Sequence, residues 1–580
     1  MPESGRSAAR RPPCRDQRSW SRGLLLVVVW AVAATGGAAT GVTVALADEV
    51  RDLDGPLRFE VVDDARLEVD RGRRYLDTLE LRIGGSGTML INELGMDDYV
   101  AGIAEMPADW PMEALKAQAV AARTYGWYVM NANVYEGYDI CATVSCQVFR
   151  GADVVTGSRS GDRWREAVDE TSGQVLLDAT GAPVLARYFS TSGGRTYANE
   201  EVFPSTGAHE HLVSIQDPYD EVSPYHRWTV RFSREEFDTL AARGERLSAV
   251  VPIDDVERLG DADDPRAMIR VTGASGETVE VGTGQFRDFL SRVAPDHFPG
   301  RFPPLRADGL RPLPSTVPTA RYDVEVTDDE VVLHGQGWGH GVGMGQYGAR
   351  ARAAEGADYL DILAAYYNGL RPTETDEVPD RVRVGLSTRE RLTIGADGPM
   401  RITADGEEVE ASALGTWEVV READGWRLSA PDGHLEPVEV TATTHSEGAA
   451  PVDDAVTVEA EVNKPVRLTM EVRDDDGEIV LARDLGVVDA GNHVAVWRLD
   501  DAQGSLVPSG SYRIGLIGED HAGDRDGSAV EITLPLAPDD APPADGRDAA
   551  PARDLVRLAA VVAALTALAL AALLVTRRTR

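Results

Sequence analysis

Between residues 51 and 129 the hydrophobic period of the chain changes once, from two to between three and four, and that change constrains the fold more than any other feature. Residues 51–95 alternate apolar and polar side chains, as in Leu57-Arg58-Phe59-Glu60-Val61 and Leu79-Glu80-Leu81-Arg82-Ile83, with glycine turns at Gly84, Gly85 and Gly87. Such alternation sets one face of each strand against a core. Pro111 then stands where a first-turn proline belongs, and Met112, Leu115, Ala119, Ala122, Gly126 and Val129 recur at spacings of three and four. That pattern predicts a helix burying a stripe of small residues against a close neighbour. Just upstream, Asp97 is placed to cap a helix over 98–104, which stops near Met106 because the residue before Pro107 is pushed out of helical geometry.

The remaining pattern extends this to an α+β fold: a mixed domain of a few helices and many short strands over 48–375, followed by β-rich domains. With 57 glycines and 6% aromatic residues, an all-helical bundle is disfavoured. Within the mixed domain, residues about 240–320 read as an irregular, Pro-rich insertion. Residues 380–445 read as a small β domain, with Val382, Val384 and Leu386 on one face. Residues 452–536, with clean alternation in Val466-Arg467-Leu468-Thr469-Met470-Glu471-Val472, read as an Ig-like β-sandwich, and 537–552, rich in Pro, Ala and Asp, as an extended linker.

Both termini carry membrane signals. Six arginines from Arg6 to Arg22 precede an apolar run from Leu24 to Ala34, and Ala45-Leu46-Ala47 fits a small-residue cleavage rule, so 1–47 is expected to be a signal peptide or an uncleaved signal anchor. The span 555–576, apolar from Leu558 to Val575, reads as a transmembrane helix with a basic cytoplasmic tail at 577–580. The expected location is therefore the cell membrane, anchored by the C-terminal helix, with the domains on the extracytoplasmic face.

Charge narrows the function. The chain carries 58 Lys+Arg against 96 Asp+Glu, a formal net charge of −38, which repels phosphate and argues against nucleic acid as partner. Cys141 and Cys146 are the two cysteines outside the leader, and in an oxidising compartment they are expected to close a small disulfide loop. A zinc site is the alternative, but zinc needs three or four ligands and Tyr135 to Gln147 offers no histidine.

The best-placed carboxylate is Glu105. A glutamate ending a helix before Pro107, partly buried beside Met106 and Trp110, is expected to have a raised pKa and so to serve as a general acid near neutral pH. Lys116, one of two lysines in the chain, shares a helical face with Arg123, seven residues on, and its ammonium is expected near Glu105 or in solvent.

The run Asp98-Tyr99-Val100-Ala101-Gly102-Ile103-Ala104-Glu105-Met106-Pro107, continued by Trp110-Pro111-Met112-Glu113-Ala114-Leu115-Lys116-Ala117-Gln118-Ala119-Val120-Ala121-Ala122-Arg123-Thr124-Tyr125, resembles the signature of the stage II sporulation protein D (SpoIID/LytB) family. Three further stretches resemble it in the same order: Cys141 to Gly151, Tyr188 to Thr196, and Gly337 to Gly348. The resemblance covers about 90–370. It implies a peptidoglycan lytic transglycosylase with Glu105 as general acid and base and 1,6-anhydro-muramyl products. On the helix that follows Glu105, Lys116, Gln118, Arg123 and Tyr125 are expected as substrate-binding positions. Some members of the family hold zinc near the cysteine pair with a histidine as well; here Ser145 precedes Cys146, and no cofactor or metal is expected.

The Gly-rich run 335–348 lacks the Gly-Lys-Ser/Thr of a phosphate loop, so nucleotide binding is excluded. Its glycines let backbone approach a glycan, with His340 and Gln346 bonding sugar hydroxyls and Ser192, Gly193 and Gly194 facing them; turn geometry is the competing reading. Tyr125, Tyr188 and Trp338 either stack on sugars or pack in the core. The 452–536 segment is similar to the FlgD-type Ig-like domain of flagellar hook-capping proteins through Val496-Trp497-Arg498-Leu499-Asp500. The expected partners are peptidoglycan glycan strands and a cell wall amidase. The runner-up function is a non-catalytic, peptidoglycan-binding enhancer of an N-acetylmuramoyl-L-alanine amidase.

Overall fold

A computed structural model describes residues 50–534, apart from 63–64, 85–86, 157–160, 300–314, 388, 424, 432–433, 435–436, 445–454 and 521–522. The alternation upstream of residue 95 becomes strands Leu57–Val61, Thr78–Gly84 and Gly87–Gly95, whose apolar faces (Leu57, Phe59, Leu79, Leu81, Leu90, Leu94) are fully buried. These strands do not form a sheet alone. Arg381–Ser387 pairs antiparallel with Gly87–Gly95, and Met400–Ala404 pairs with Leu57–Val61, in one seven-stranded sheet. A second, six-stranded sheet likewise interleaves Val50–Asp54, Leu67–Val69 and Arg73–Tyr75 with Arg391–Ala396, Trp417–Arg421 and Gly425–Ser429. Residues 380–445, read from sequence as a separate small β domain, thus complete the sheets begun at residue 50, and both share one apolar core.

The helix Met112–Ala132 crosses this core and buries Leu115, Ala119, Ala122 and Gly126. A Cβ at Gly126 would stand 3.1 Å from the Tyr99 ring, so the small-residue stripe serves a close approach. The residues about 240–320 are more regular than their composition suggests. Three antiparallel strands, Ile253–Leu259, Met268–Gly273 and Thr278–Gly282, pack with helices Arg234–Ala241 and Thr283–His297 around a core of their own.

The C-terminal described segment is a sandwich of two sheets. Val440–Thr444, Val456–Val462 and Gly491–Trp497 face Ile479–Val488, Val466–Arg473, Gly510–Glu519 and Arg525–Leu534 across Val458, Met470, Trp497 and Leu516. The leader 1–47, the linker 537–552, the span 555–576 and the tail 577–580 lie outside the described residues. Among those described, no helix is long and apolar enough to cross a membrane. The location at the cell membrane through a C-terminal helix is corrected accordingly: the described structure contains no such anchor.

Candidate functional site

The segment carrying Glu105 departs from the sequence reading in a way that defines the site. The helix ends at Ala101, with Gly102 as its cap, rather than running to 104. The chain leaves because Gly102 to Ala104 pairs with the strand-like stretch 148–150: the Ala104 N–H donates to the Val148 carbonyl at 2.8 Å, and the Arg150 N–H to Gly102 at 2.8 Å. Only glycine fits at 102, where an added Cβ would lie 2.3 Å from the Phe149 ring. Asp97, expected as the cap, instead accepts from Arg123; the capping position is Gly95.

Glu105 therefore sits in a loop and not at a helix terminus, so the dipole has no part in its behaviour. One carboxylate oxygen, Oε1, accepts the Val148 N–H at 2.7 Å. The other has no hydrogen-bond partner among the described residues. Burial pushes the carboxyl up from its usual range, and the Val148 N–H works against that shift. Nearby stand the phenols of Tyr99 and Tyr188, both held neutral by burial, each with a further push from the Glu105 charge. They are bridged by Gln147, which accepts from the Tyr99 hydroxyl and donates to the Tyr188 hydroxyl at 2.9 Å. Gln147 and Val148 follow a loop closed by a bond between the sulfurs of Cys141 and Cys146, with Cα atoms 5.6 Å apart. With both thiols so used and no group of three or more His, Cys, Asp or Glu placed to hold a metal among the described residues, the site does not fit the zinc of some family members.

The other predicted positions divide. Gln346 and Gln118 join the site: Gln346 Nε2 donates to the Glu105 carbonyl at 3.2 Å and to Gln118 Oε1 at 3.2 Å, tying the Glu105 loop to the long helix. Tyr125, half-buried, has its phenol pKa raised by burial. Lys116 does not reach the site, being paired with Glu170 at 2.6 Å and Glu113 at 3.2 Å. Arg123 is completely buried and spends its donors on Asp97 and on the carbonyls of Val168, Thr171 and Gln174; it holds the helix to its neighbours and leaves nothing for a substrate. The spacing of 116 and 123 gave their common side of the helix, but apart from Glu113, three residues before Lys116, their partners come from residues 97 and 168–174, which no local pattern marks.

The facing loop is also committed internally. The Ser192 hydroxyl and the Gly193 N–H both donate to Asp220 Oδ2, at 2.8 and 2.6 Å, and the Gly194 N–H donates to Ser192 Oγ. Asp220, fully buried and not singled out in the sequence, is thus the acceptor these residues serve, with His226 on its other oxygen at 2.8 Å. His340 accepts the Val342 N–H on Nδ1 and lies between Phe189 and Phe203; burial pushes its pKa down to about 3, which favours the neutral imidazole. Glu113, close in sequence to Glu105, is held by Lys116 and by the Tyr359 N–H at 2.9 Å. Of the two glutamates, Glu105 is the one left with an unbonded oxygen among the described residues.

A family model described as Stage II sporulation protein matches residues 84–177, which contain Glu105, the long helix and the cysteine loop. A second, described as FlgD Ig-like domain, matches residues 442–519 in the sandwich. An uncharacterized protein of Brachyspira hyodysenteriae is 32% identical over 317 residues, covering 54% of this chain and 75% of that protein. The stage II sporulation protein D of Bacillus subtilis is 29% identical over 302 residues, 49% of this chain and 76% of its own length. The amidase enhancer of Bacillus subtilis is 31% identical over 298 residues, 46% of this chain but 38% of the relative.

Proposed function

The chain belongs to the stage II sporulation protein D family, and on that footing we propose that it cleaves peptidoglycan glycan strands by transglycosylation, with Glu105 as acid and then base. The observation that carries this reading is the state of the Glu105 carboxyl: one oxygen is fixed by Val148, the other is free, and burial favours the protonated form. Two-carboxylate glycosidases need a second group to activate water or to attack the sugar. A muramoyl residue supplies its own nucleophile, so one carboxyl suffices. Glu105 gives its proton to the glycosidic oxygen as the bond from that oxygen to the anomeric carbon breaks. The 6-hydroxyl of the same sugar then bonds to the anomeric carbon and returns its proton to Glu105. The products are a free 4-hydroxyl on one strand and a 1,6-anhydro-muramyl end on the other, with no water consumed. Neutral Tyr99 and Tyr188 border the carboxyl and keep it from a countercharge that would lower its pKa.

A second reading is favoured by one relative, whose name is amidase enhancer. In it the protein holds glycan and stimulates a separate wall amidase. The two readings part at Glu105. A purified Glu105→Gln variant that keeps full stimulation of a cognate amidase, while the parent releases no anhydro-muramyl ends from peptidoglycan, supports the enhancer; loss of anhydro ends in the variant supports the transglycosylase.

A further inference from the structure

We infer that a ladder of four aromatic rings beside Glu105, ended by the Arg350 guanidinium, is a binding platform for a glycan that bears a carboxylate. This rests on the glycan-cleaving reading and names the part of the substrate that the chain reads. Trp338 meets Tyr225 edge to face at 5.0 Å, Tyr225 meets Tyr347 at 6.2 Å, and Tyr347 meets Trp110 at 4.7 Å. Each contact is near perpendicular, at 74°, 84° and 66°, so ring faces and edges alternate along the series.

The ladder is attached to the catalytic loop at two places. Trp110 lies in the same loop as Glu105, five residues on. Tyr347 follows Gln346, whose amide donates to the Glu105 carbonyl, and its own N–H donates to Ser190. The far end is fixed as well: the Trp338 backbone pairs both ways with Thr191, at 2.9 and 3.0 Å. Trp338 and Tyr225 are half-buried and offer surface; Trp110, 8% exposed, is the anchor, and Tyr347 joins it to Tyr225. Rigid aromatic faces held this way suit the apolar faces of sugar rings, at low entropic cost.

Arg350 marks the chemistry at the near end. Its guanidinium lies 5.2 Å from the centre of the Trp110 ring and 6.0 Å from that of Tyr347. Among the described residues it has no carboxylate partner, although the chain carries 38 excess negative charges and comparable guanidiniums are taken, Arg123 by Asp97 and Arg165 by Asp98 and Asp169. Arg350 lies over the aromatic rings and makes no side-chain hydrogen bond among the described residues, and a guanidinium edge matches a carboxylate in two parallel hydrogen bonds. On a peptidoglycan strand the carboxylate is the lactyl group where stem peptides have been removed, or a stem-peptide carboxylate where they remain.

The test is equilibrium binding of the full chain in a Glu105→Gln background, so that nothing is cleaved, to three probes: a neutral N-acetylglucosamine oligomer, peptide-free glycan strands and intact strands. Trp338→Ala is expected to weaken all three severalfold. Arg350→Met is expected to weaken a carboxylate-bearing probe about tenfold or more and leave the neutral oligomer unchanged, with the difference shrinking as salt rises. Whichever charged probe loses affinity identifies the carboxylate. Arg350→Lys should restore part of the loss. Equal weakening of neutral and charged probes by Arg350→Met, or parental binding by both variants at unchanged melting temperature, overturns the inference. Anhydro products from the parent alongside those results would leave the catalytic reading standing; glycan bound in the expected pattern without any cleavage by the parent would overturn the catalytic reading and keep the platform.

Discussion

Val148 holds Glu105 through one hydrogen bond, from its backbone N–H to Oε1 at 2.7 Å, and Val148 stands two residues beyond Cys146 of the disulfide loop. The position of the carboxyl is thus set by a covalently closed loop, through a donor that has no side chain.

Opening that loop should therefore reach the carboxyl. Replacing Cys141 and Cys146 together by serine is expected to lower stability by about 2 kcal/mol, at the modest end for a short closed loop. Cleavage should fall further than the melting temperature implies, because Gln147 and Val148 lose their fixed approach. Thermal unfolding and product yield measured on the same preparation check this; parental cleavage by the double variant contradicts it.

Gly102→Ala should disturb the same pairing from the other side. The backbone at 102 tolerates alanine, with φ at −78°, but the added Cβ would stand 2.3 Å from the buried Phe149 ring. Overpacking of this kind costs about 1–3 kcal/mol. The loss of stability in denaturant titration should come with a loss of cleavage, since Ala104 and Arg150 share the strained segment.

The pH dependence of cleavage follows from the raised Glu105 pKa. The donating form is protonated, so kcat/KM should fall as pH rises through a value above the ordinary glutamate range of about 4.3. A basic limb centred at or below that value would show that burial does not tune the acid.

Asp217 gives a separate prediction about stability. Burial raises its pKa from 3.8 to about 6, opposed by the Tyr366 hydroxyl at 2.9 Å and by Arg352, and reinforced by Asp220. The folded chain holds this proton more tightly than the unfolded chain, so the stability it contributes is complete below pH 3.8 and is lost as pH rises through about 6. Asp217→Asn should flatten the fall in melting temperature across that interval; an unchanged slope would place the dependence elsewhere.

The elements legible in the sequence are those whose signal is local. Met112 to Val129 announce their helix because the stripe of small residues repeats within one element, and Leu57 to Val61 announce their strand in the same way. The interleaving of 381–429 with 50–95 left no such trace, because strand pairing across three hundred residues depends on register and not on composition. At the site, Glu105 stands out by residue type in context, whereas the partners of Gln346, the Glu105 carbonyl and Gln118, leave no mark in its own motif. Val148 does not stand out, since a backbone N–H looks alike at every position, and Asp220 carries no local signal because its donors, Ser192 and Gly193, lie 28 and 27 residues upstream. Lys116 stands out by its rarity, but its ammonium is spent on Glu113 and Glu170 and not on Glu105.

The central claim is that one carboxyl, Glu105, drives cleavage. It is tested most directly by mass spectrometry of peptidoglycan, intact and peptide-free, after incubation with the parent or with Glu105→Gln shown to keep the parental melting temperature. The account predicts 1,6-anhydro-muramyl ends from the parent and a yield about 10²- to 10⁴-fold lower from the variant. Anhydro ends formed equally by both proteins, or by neither, would contradict it.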